Sequence, residues 1–457
     1  MASPLTNTQI AVAGASGFVG LHLIERLAAS HPIIALGRRA PSQSRDGVEW
    51  RQTELFSAGS TRAALQGATV AIYLVHSMMP SSRLFQGSFH DTDLLLADNF
   101  ARACKKNGVQ QIIYLGGLVP PSGFVSPHLQ SRKEVEAVLA ATGIPLTVLR
   151  AGMVVGRGGS SFEILRSLVQ KLPLMVLPRW TQSMGQAVHI DDVVAVLAQA
   201  VTDPAFRGRT LDLVNGESLN YETMLLQMAA ALGLKRRMVR VPLASTGFSK
   251  RWVQVFGNAS HELVSPLIDS LLCGLPQLPP DPLIAPLIRY PTFRSMLEGA
   301  LAQPESSTAV AKRRPQQDRS VRSVQRLPSL PSRDAPWLAH EYMRWLPRFF
   351  QTLIRVHIDE SRVTFRLSFV RSPLLVLDFI ADASDSERTK LHIVGGLLSQ
   401  TTDTGWLEFR QVDHRRFTLT AIHQFVPSLP WPLYLLTQAP AHSWVMHSFG
   451  RHLARLD

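Results

Sequence analysis

Three glycines, Gly14, Gly17 and Gly20, stand where a short apolar run (Ile10–Ala13) gives way to a stretch with an apolar helical face at Leu21, Leu23, Ile24 and Leu27. The spacing suits the binding of a pyrophosphate. Gly14 allows the tight turn after a strand, Gly17 lets the backbone approach phosphate closely, and Gly20 lets the helix lie close to the sheet. The helix amino terminus then offers unpaired N–H groups and a favourable dipole to the anion. A glycine-rich turn with a purely structural role is the competing reading, and the position between a first strand and a first helix speaks against it. The next apolar run, Pro32–Leu36, ends in Gly37-Arg38-Arg39, with no acid before Asp46. An acid there would take the ribose hydroxyls of NAD(H), whereas a guanidinium pairs bidentately with a 2′-phosphate. Arg38 and Arg39 therefore favour NADP(H), with NAD(H) left open; two ordinary surface arginines are the alternative.

The elements that must position these residues alternate along the chain. Strands are expected at Val48–Gln52, Thr69–Val75, Gln111–Leu115 and Leu146–Leu149, with helices around Thr61–Leu65, Asp91–Asn107, Arg132–Thr142 and Phe162–Lys171. Short apolar strands alternating with helices imply an α/β fold, a Rossmann-type doubly wound parallel sheet covered on both faces. Right-handed crossovers place the strand carboxyl ends, and with them Gly14, Arg38, His76 and Gly116, on one rim.

The expected organisation is a nucleotide-binding domain over 8–240, a helical cap over 241–305, a linker over 306–335 and a small α+β domain over 336–457. The cap carries several prolines. The linker is rich in Ser, Pro and Gln and holds Lys312, Arg313, Arg314, Arg319, Arg322, Arg326 and Arg333 against Asp318 and Asp334. It accounts for much of the net charge of +13 and reads as a solvated basic tether. Contact with an anionic membrane through it is left open. The absence of an interleaved aromatic pattern argues against nucleic acid. In the last domain, strands are expected at Val363–Phe369, Leu374–Phe379, Lys390–Val394, Trp406–Arg410 and Phe417–Phe425, before a helix at about Ala441–Ala454. Two cysteines, Cys104 and Cys273, read as buried thiols of a reducing compartment. His442 and His447, five apart on a helix, do not share a metal-binding face, and no metal site is expected. The start of the sequence lacks the pattern of a signal peptide, so a cytoplasmic setting is expected, with a peripheral position at the inner membrane left open.

Over about Ile10–Leu301 the chain resembles the extended, atypical short-chain dehydrogenase/reductase superfamily, especially its NmrA-like and complex I 39-kDa-subunit-like branch. The resemblance is carried by Gly14–Gly20, Tyr73-Leu74-Val75-His76-Ser77, Tyr114-Leu115-Gly116-Gly117-Leu118, Leu149–Gly156 and Val188-His189-Ile190-Asp191-Asp192-Val193. It implies that Gly14, Ser16, Gly17 and Phe18 surround the cofactor phosphates, that Arg38 approaches the adenosine ribose phosphate, and that Val75, His76 and Gly116 line the nicotinamide side. Conventional members use a tyrosine and a lysine four positions apart. Matching through Glu136 puts His128 and Arg132 at those positions, and no tyrosine lies in Val119–Leu139. His128 can exchange a proton near neutral pH, and Arg132 can bind ribose or phosphate. A surface histidine and a positioning arginine are the ordinary alternative. Gly116 or Gly117 stands where the family orients substrate with Ser or Thr.

The segments Trp406-Leu407-Glu408-Phe409, Leu433-Tyr434 and Pro440-Ala441-His442 resemble a helix-grip, START-like domain, which implies a cavity for a hydrophobic molecule. Trp431, Tyr434, Trp444, Met446 and Phe449 would either line it or form the core between sheet and helix. Two functions stay open. One is NADP(H)-dependent hydride transfer to or from a small hydrophobic carbonyl, enone or quinone. The other is a non-catalytic NADP(H)-dependent sensor, assembly or quinone-associated protein.

Overall fold

The computed structural model describes residues 8–38, 45–77, 84–241, 269–270, 273–275, 277–303, 320–351, 353–400 and 404–456. The chain divides into two compact units, 1–79 with 96–313 and 80–95 with 314–457.

The first unit is built on seven parallel strands in the order Thr210–Leu213, Leu146–Ala151, Gln111–Gly117, Val70–Tyr73, Ile10–Ala13, Ile33–Gly37 and Val48–Gln52. The central strands read IAVA, VAIY and QIIYLGG and are buried almost throughout. Burial on both faces is what a parallel sheet between helices demands, and it removes any polar alternation from the sequence. The order reverses at Ile10–Ala13 and Val70–Tyr73, so the crevice for a ligand opens beyond the carboxyl ends of these two strands. On one face, Leu23, Ile24 and Leu27 of the helix Phe18–Leu27 share a core with Val193, Val196 and Leu197 of the helix Ile190–Thr202. A separate apolar cluster joins the helices Ser160–Lys171, Tyr221–Ala231 and Phe293–Ala302. About half of the expected cap, chiefly 242–268, together with Arg39, lies outside the described residues.

The second unit holds an eight-stranded mixed sheet in the order Ile354–Asp359, Arg362–Leu367, Pro373–Phe379, Arg388–Gly395, Trp406–Val412, Phe417–Phe425, Val321–Leu327 and Leu84–Gly87. All neighbours are antiparallel except the last pair. Its sheet is thus larger than that of the nucleotide unit, not smaller. One face is covered by the helices Ala335–Phe349 and Gln438–Leu453. Leu338, Met343, Leu346, Met446, Phe449 and Leu453 meet Leu377, Ile393, Leu407 and Phe409 there. Tyr434, Met446 and Phe449 belong to this core, whereas Trp444 is half exposed.

The expected linker is corrected over its second half, where Val321–Leu327 is a strand between two others. Val321, Val324 and Leu327 are buried in it, and the strand's charges are accounted for: Arg322 is buried and Arg326 pairs with Asp91 at 2.8 Å. The basic, Ser- and Gln-rich composition hid the strand. No helix among the described residues is long and apolar enough to cross a membrane.

Candidate functional site

The turn after Ile10–Ala13 is wound tightly on itself. Gly14 has φ +88°, in the left-handed region, and Gly17 N–H donates to the Gly14 carbonyl at 2.9 Å. A Cβ on Gly14 would lie 2.9 Å from the Leu74 carbonyl, and one on Gly20 only 2.3 Å from the Gly14 carbonyl. Both obstacles are backbone, so neither position accepts a side chain. The helix Phe18–Leu27 then starts without a side-chain cap and without an acid in its first turn. By contrast, Ser57, Ser126, Asn220 and Asp334 cap their helices with side chains. Ser16 and Gly17 are exposed beside this open amino terminus, where its N–H groups suit a pyrophosphate. Arg38, exposed at the end of Ile33–Gly37, stands on the neighbouring strand of the same rim.

Next to the loop opens a cavity of about 370 Å³. Phe18 and Val19 form its wall next to the glycine turn, His76 and Gly116 come from strand ends, and His128 and Arg132 come from the helix Pro127–Ala140. That helix begins at Ser126, whose hydroxyl accepts the Leu129 N–H at 3.2 Å, with Pro127 in the first turn. His128, Arg132 and Glu136 follow at intervals of four and share one face. Arg150 clamps Glu136 with two bonds, at 2.9 and 2.6 Å, and so fixes the helix against the strand Leu146–Ala151.

Gly116 and Gly117 are explained by the closeness of this helix. A Cβ on Gly116 would lie 2.9 Å from the Tyr114 ring and 3.2 Å from Glu136 Oε1. One on Gly117 would lie 2.9 Å from Leu129 and 3.4 Å from Cγ of Arg132. The stem of Arg132 thus borders the space a Ser or Thr side chain would need. The small residue and the large one go together.

The Arg132 guanidinium is buried and donates to Nδ1 of His76. Burial pushes the pKa of Arg132 down to about 10, so it stays cationic at neutral pH. His76 is solvent-accessible at the mouth of the cavity, with its ring among the lining groups. Desolvation, then the charge of Arg132, then His128, hold its pKa well below the usual histidine range. A neutral His76 that accepts at Nδ1 carries its proton on Nε2, which is then a donor. The site therefore combines a fixed cation with one neutral imidazole and a second histidine at the wall.

The far wall is apolar, and apart from Cys273, which lies in the expected cap, the sequence reading does not single out its residues. Leu165, Leu168, Trp180, Tyr221 and Leu225 line it, with Cys273. Burial raises the Tyr221 hydroxyl above the usual phenol range, so it remains protonated. No spacing motif links Ser160–Lys171, Arg179–Gln182 and Tyr221–Ala231; only tertiary structure brings them together. Of the residues singled out from sequence, Phe18, His76, Gly116, His128 and Arg132 meet at the cavity. Gly14, Ser16 and Gly17 form the adjoining loop, and Gly20 lies in the first turn of the helix that follows it. Val75 is partly buried and does not line the cavity.

Residues 14–204 match the model of a family described as NAD(P)H-binding. The auxiliary protein GraX of Staphylococcus aureus (strain NCTC 8325 / PS 47) is 29% identical over 111 residues, 24% of this chain and 36% of GraX. The chain thus spans about a third of the length of that relative. Triphenylmethane reductase of Citrobacter sp., solved with NADP(H), matches with a TM-score of 0.50 at 21% identity over 64% of this chain and 99% of its own. A second structure of that enzyme gives 0.51 at 20% identity over 65% and 100%. The NADPH-bound quinone oxidoreductase QOR2 of Escherichia coli gives 0.47 at 20% identity over 66% and 97%. The fold of the first unit is an extended Rossmann-type NAD(P)-binding fold.

Proposed function

We propose that the chain is an NADP(H)-dependent oxidoreductase of the atypical, NmrA-like kind that reduces a small apolar carbonyl, enone or quinone. One observation carries this reading. A single cavity runs from Phe18 and Val19 at the phosphate loop, past His76 and Gly116, to the apolar wall of Trp180, Tyr221 and Leu225. A nucleotide and an apolar compound would share one space beside a cation, an arrangement that a pure sensor does not require.

The residues fit the cofactor. The loop is a tight turn in which a Cβ on Gly14 or Gly20 would strike backbone, it leads into an uncapped helix amino terminus, and Arg38 has no partner among the described residues to compete with a 2′-phosphate. Bound NADPH supplies a hydride, which together with one proton turns a carbonyl into an alcohol. The chain supplies the rest. Arg132 stabilises negative charge developing on the substrate oxygen, in a site where burial strengthens the interaction. His128 hands over the proton, and His76 orients Arg132 from the opposite side. Trp180, Tyr221 and Leu225 hold the apolar body and exclude water. For the second unit, the antiparallel sheet against the long helix Gln438–Leu453 supports a helix-grip reading.

The non-catalytic alternative draws on the missing tyrosine and on Gly116 and Gly117 in place of a hydroxyl donor. One assay decides between the two: NADPH oxidation across apolar ketones, enones and quinones, with nucleotide binding measured in parallel. Turnover with at least one class supports the proposal, whereas tight binding without turnover across the panel rejects it. In the same titrations, Arg38→Ala is expected to weaken NADPH binding by roughly tenfold or more and to leave NADH within about twofold. Equal loss for both nucleotides would remove Arg38 from the phosphate site.

A further inference from the structure

We propose that one end of the second unit docks on an anionic lipid bilayer. Five large apolar side chains protrude there from four segments. Leu436 is 77% exposed, Phe369 75%, Trp444 and Leu433 51%, and Leu353 45%. Their segments are tied together, the one carrying Leu433 and Leu436 through Gln438, whose side chain donates to the Leu398 carbonyl at 3.2 Å while Leu398 N–H donates to the Leu374 carbonyl at 3.0 Å. The Trp444 ring lies 4.7 Å from Phe349 and 5.9 Å from Phe350. Leu353 N–H donates to the Phe350 carbonyl at 2.9 Å, and Ser368 N–H to the Leu353 carbonyl at 2.9 Å. Thr437 N–H donates to the Leu433 carbonyl at 3.0 Å where the helix Trp431–Leu436 gives way to Gln438–Leu453. Apolar groups exposed together on a folded protein mark an interaction surface.

Along the segments that carry them, the charge has one sign. Arg355 and Arg366 face each other directly across the strands Ile354–Asp359 and Arg362–Leu367, one pair in from the hairpin end that carries Leu353 and Phe369. Arg348 lies in the last helical turn before Phe349 and Phe350, and Arg371 follows Phe369 by two residues. All four arginines are exposed, and none has an acidic partner among the described residues. No acidic residue occurs at 342–358, 361–377 or 414–456. Two cations directly opposite in a sheet repel each other, and an anion between them removes that cost. An isologous dimer through this face would set arginines against arginines, so a second copy of the chain fits it poorly. Arg355 and Arg366 point to the sheet face away from the helices, so headgroups met by them on that side and by Arg348 and Arg371 at the strand ends, with Leu436, Trp444 and Phe369 among the acyl chains, satisfy both features. A bilayer is also where a water-insoluble compound would be found, although this inference stands on the second unit alone and is independent of the proposed chemistry.

Vesicle flotation of the full chain tests the proposal, with phosphatidylcholine alone and with added phosphatidylglycerol. The chain is expected to float only with the anionic vesicles, and less as salt rises. Leu436→Asp with Phe369→Asp, and separately Arg355→Gln with Arg366→Gln, are each expected to lower partitioning at least roughly tenfold. Unchanged unfolding temperatures would show that both variants fold. Replacing Arg313 and Arg314 by Gln is expected to leave flotation in place. The proposal is overturned by absence of flotation, by flotation indifferent to both paired variants, or by loss only when Arg313 and Arg314 are replaced. A dimer in solution that the same substitutions dissolve, without vesicle binding, would overturn it in favour of self-association.

Discussion

Arg132→Gln is expected to lower kcat for NADPH oxidation by about a hundredfold or more, the scale on which a buried donor to a developing oxyanion acts. Arg132→Lys is expected to recover part of the loss, because a lysine keeps the charge without the planar fork. The pH profile separates chemistry from packing. Part of the downward shift of His76 comes from the charge of Arg132. Glutamine removes that charge, so the pKa of His76 rises toward the ordinary histidine range. Protonated His76 would then appear at a higher pH than in the parent, and the acid limb of kcat/KM would move upward. A variant with turnover within about threefold of the parent and an unmoved acid limb would reduce Arg132 to a packing residue.

Gly20→Val is expected to abolish measurable NADPH binding, with a loss beyond roughly a hundredfold and a stability cost of about 1–3 kcal/mol. The reason is geometric. Its Cβ would lie 2.3 Å from the Gly14 carbonyl and 2.9 Å from Cα of Ala15, and both atoms belong to the glycine turn proposed to hold the phosphates. The loop must open before the side chain fits. Gly59→Ala is the matched control, since nothing lies within 4 Å of a Cβ at that position. It sits inside the helix Ala58–Ala64, where alanine gains about 0.5–1 kcal/mol over glycine. Isothermal titration and thermal unfolding of both variants check the pair. Retained NADPH affinity in Gly20→Val would place the nucleotide elsewhere.

The nucleotide unit was legible because its signals are local. Ile10–Ala13, the glycine turn and the face of Leu23, Ile24 and Leu27 occupy consecutive residues, and strand carboxyl ends in such a fold fall on one side. His128 and Arg132 could be placed on one helical face by their spacing alone. The contact of Arg132 with His76 could not, since it spans 56 residues. Gly116 and Gly117 read as lost donors in the sequence, whereas in the structure the Tyr114 ring and Glu136 crowd the first and Leu129 and the stem of Arg132 the second. The apolar wall at Trp180, Tyr221 and Cys273 left no motif at all, because ordinary core residues became a cavity lining only through packing. In the second unit, period-two alternation announced the central strands. Val321–Leu327 was masked by arginines whose partners lie elsewhere, and Leu84–Gly87 was too short to stand out. The helix Ala335–Phe349 carries Pro347 near its end, a residue that argues against a helix in sequence because it lacks the N–H for an i→i−4 bond.

The central claim is that a hydride passes from NADP(H) to an apolar acceptor within the cavity of Phe18, Gly116 and Arg132. The most direct measurement is isotopic. NADPH deuterated on one or the other face of the nicotinamide C4 is incubated with the chain and an apolar ketone or enone, whose reduced carbon retains the label. Deuterium is expected in the product from one face only, with the transfer largely lost in Arg132→Gln. Nucleotide that binds yet is never consumed, or product that carries no label from either face, would contradict the account.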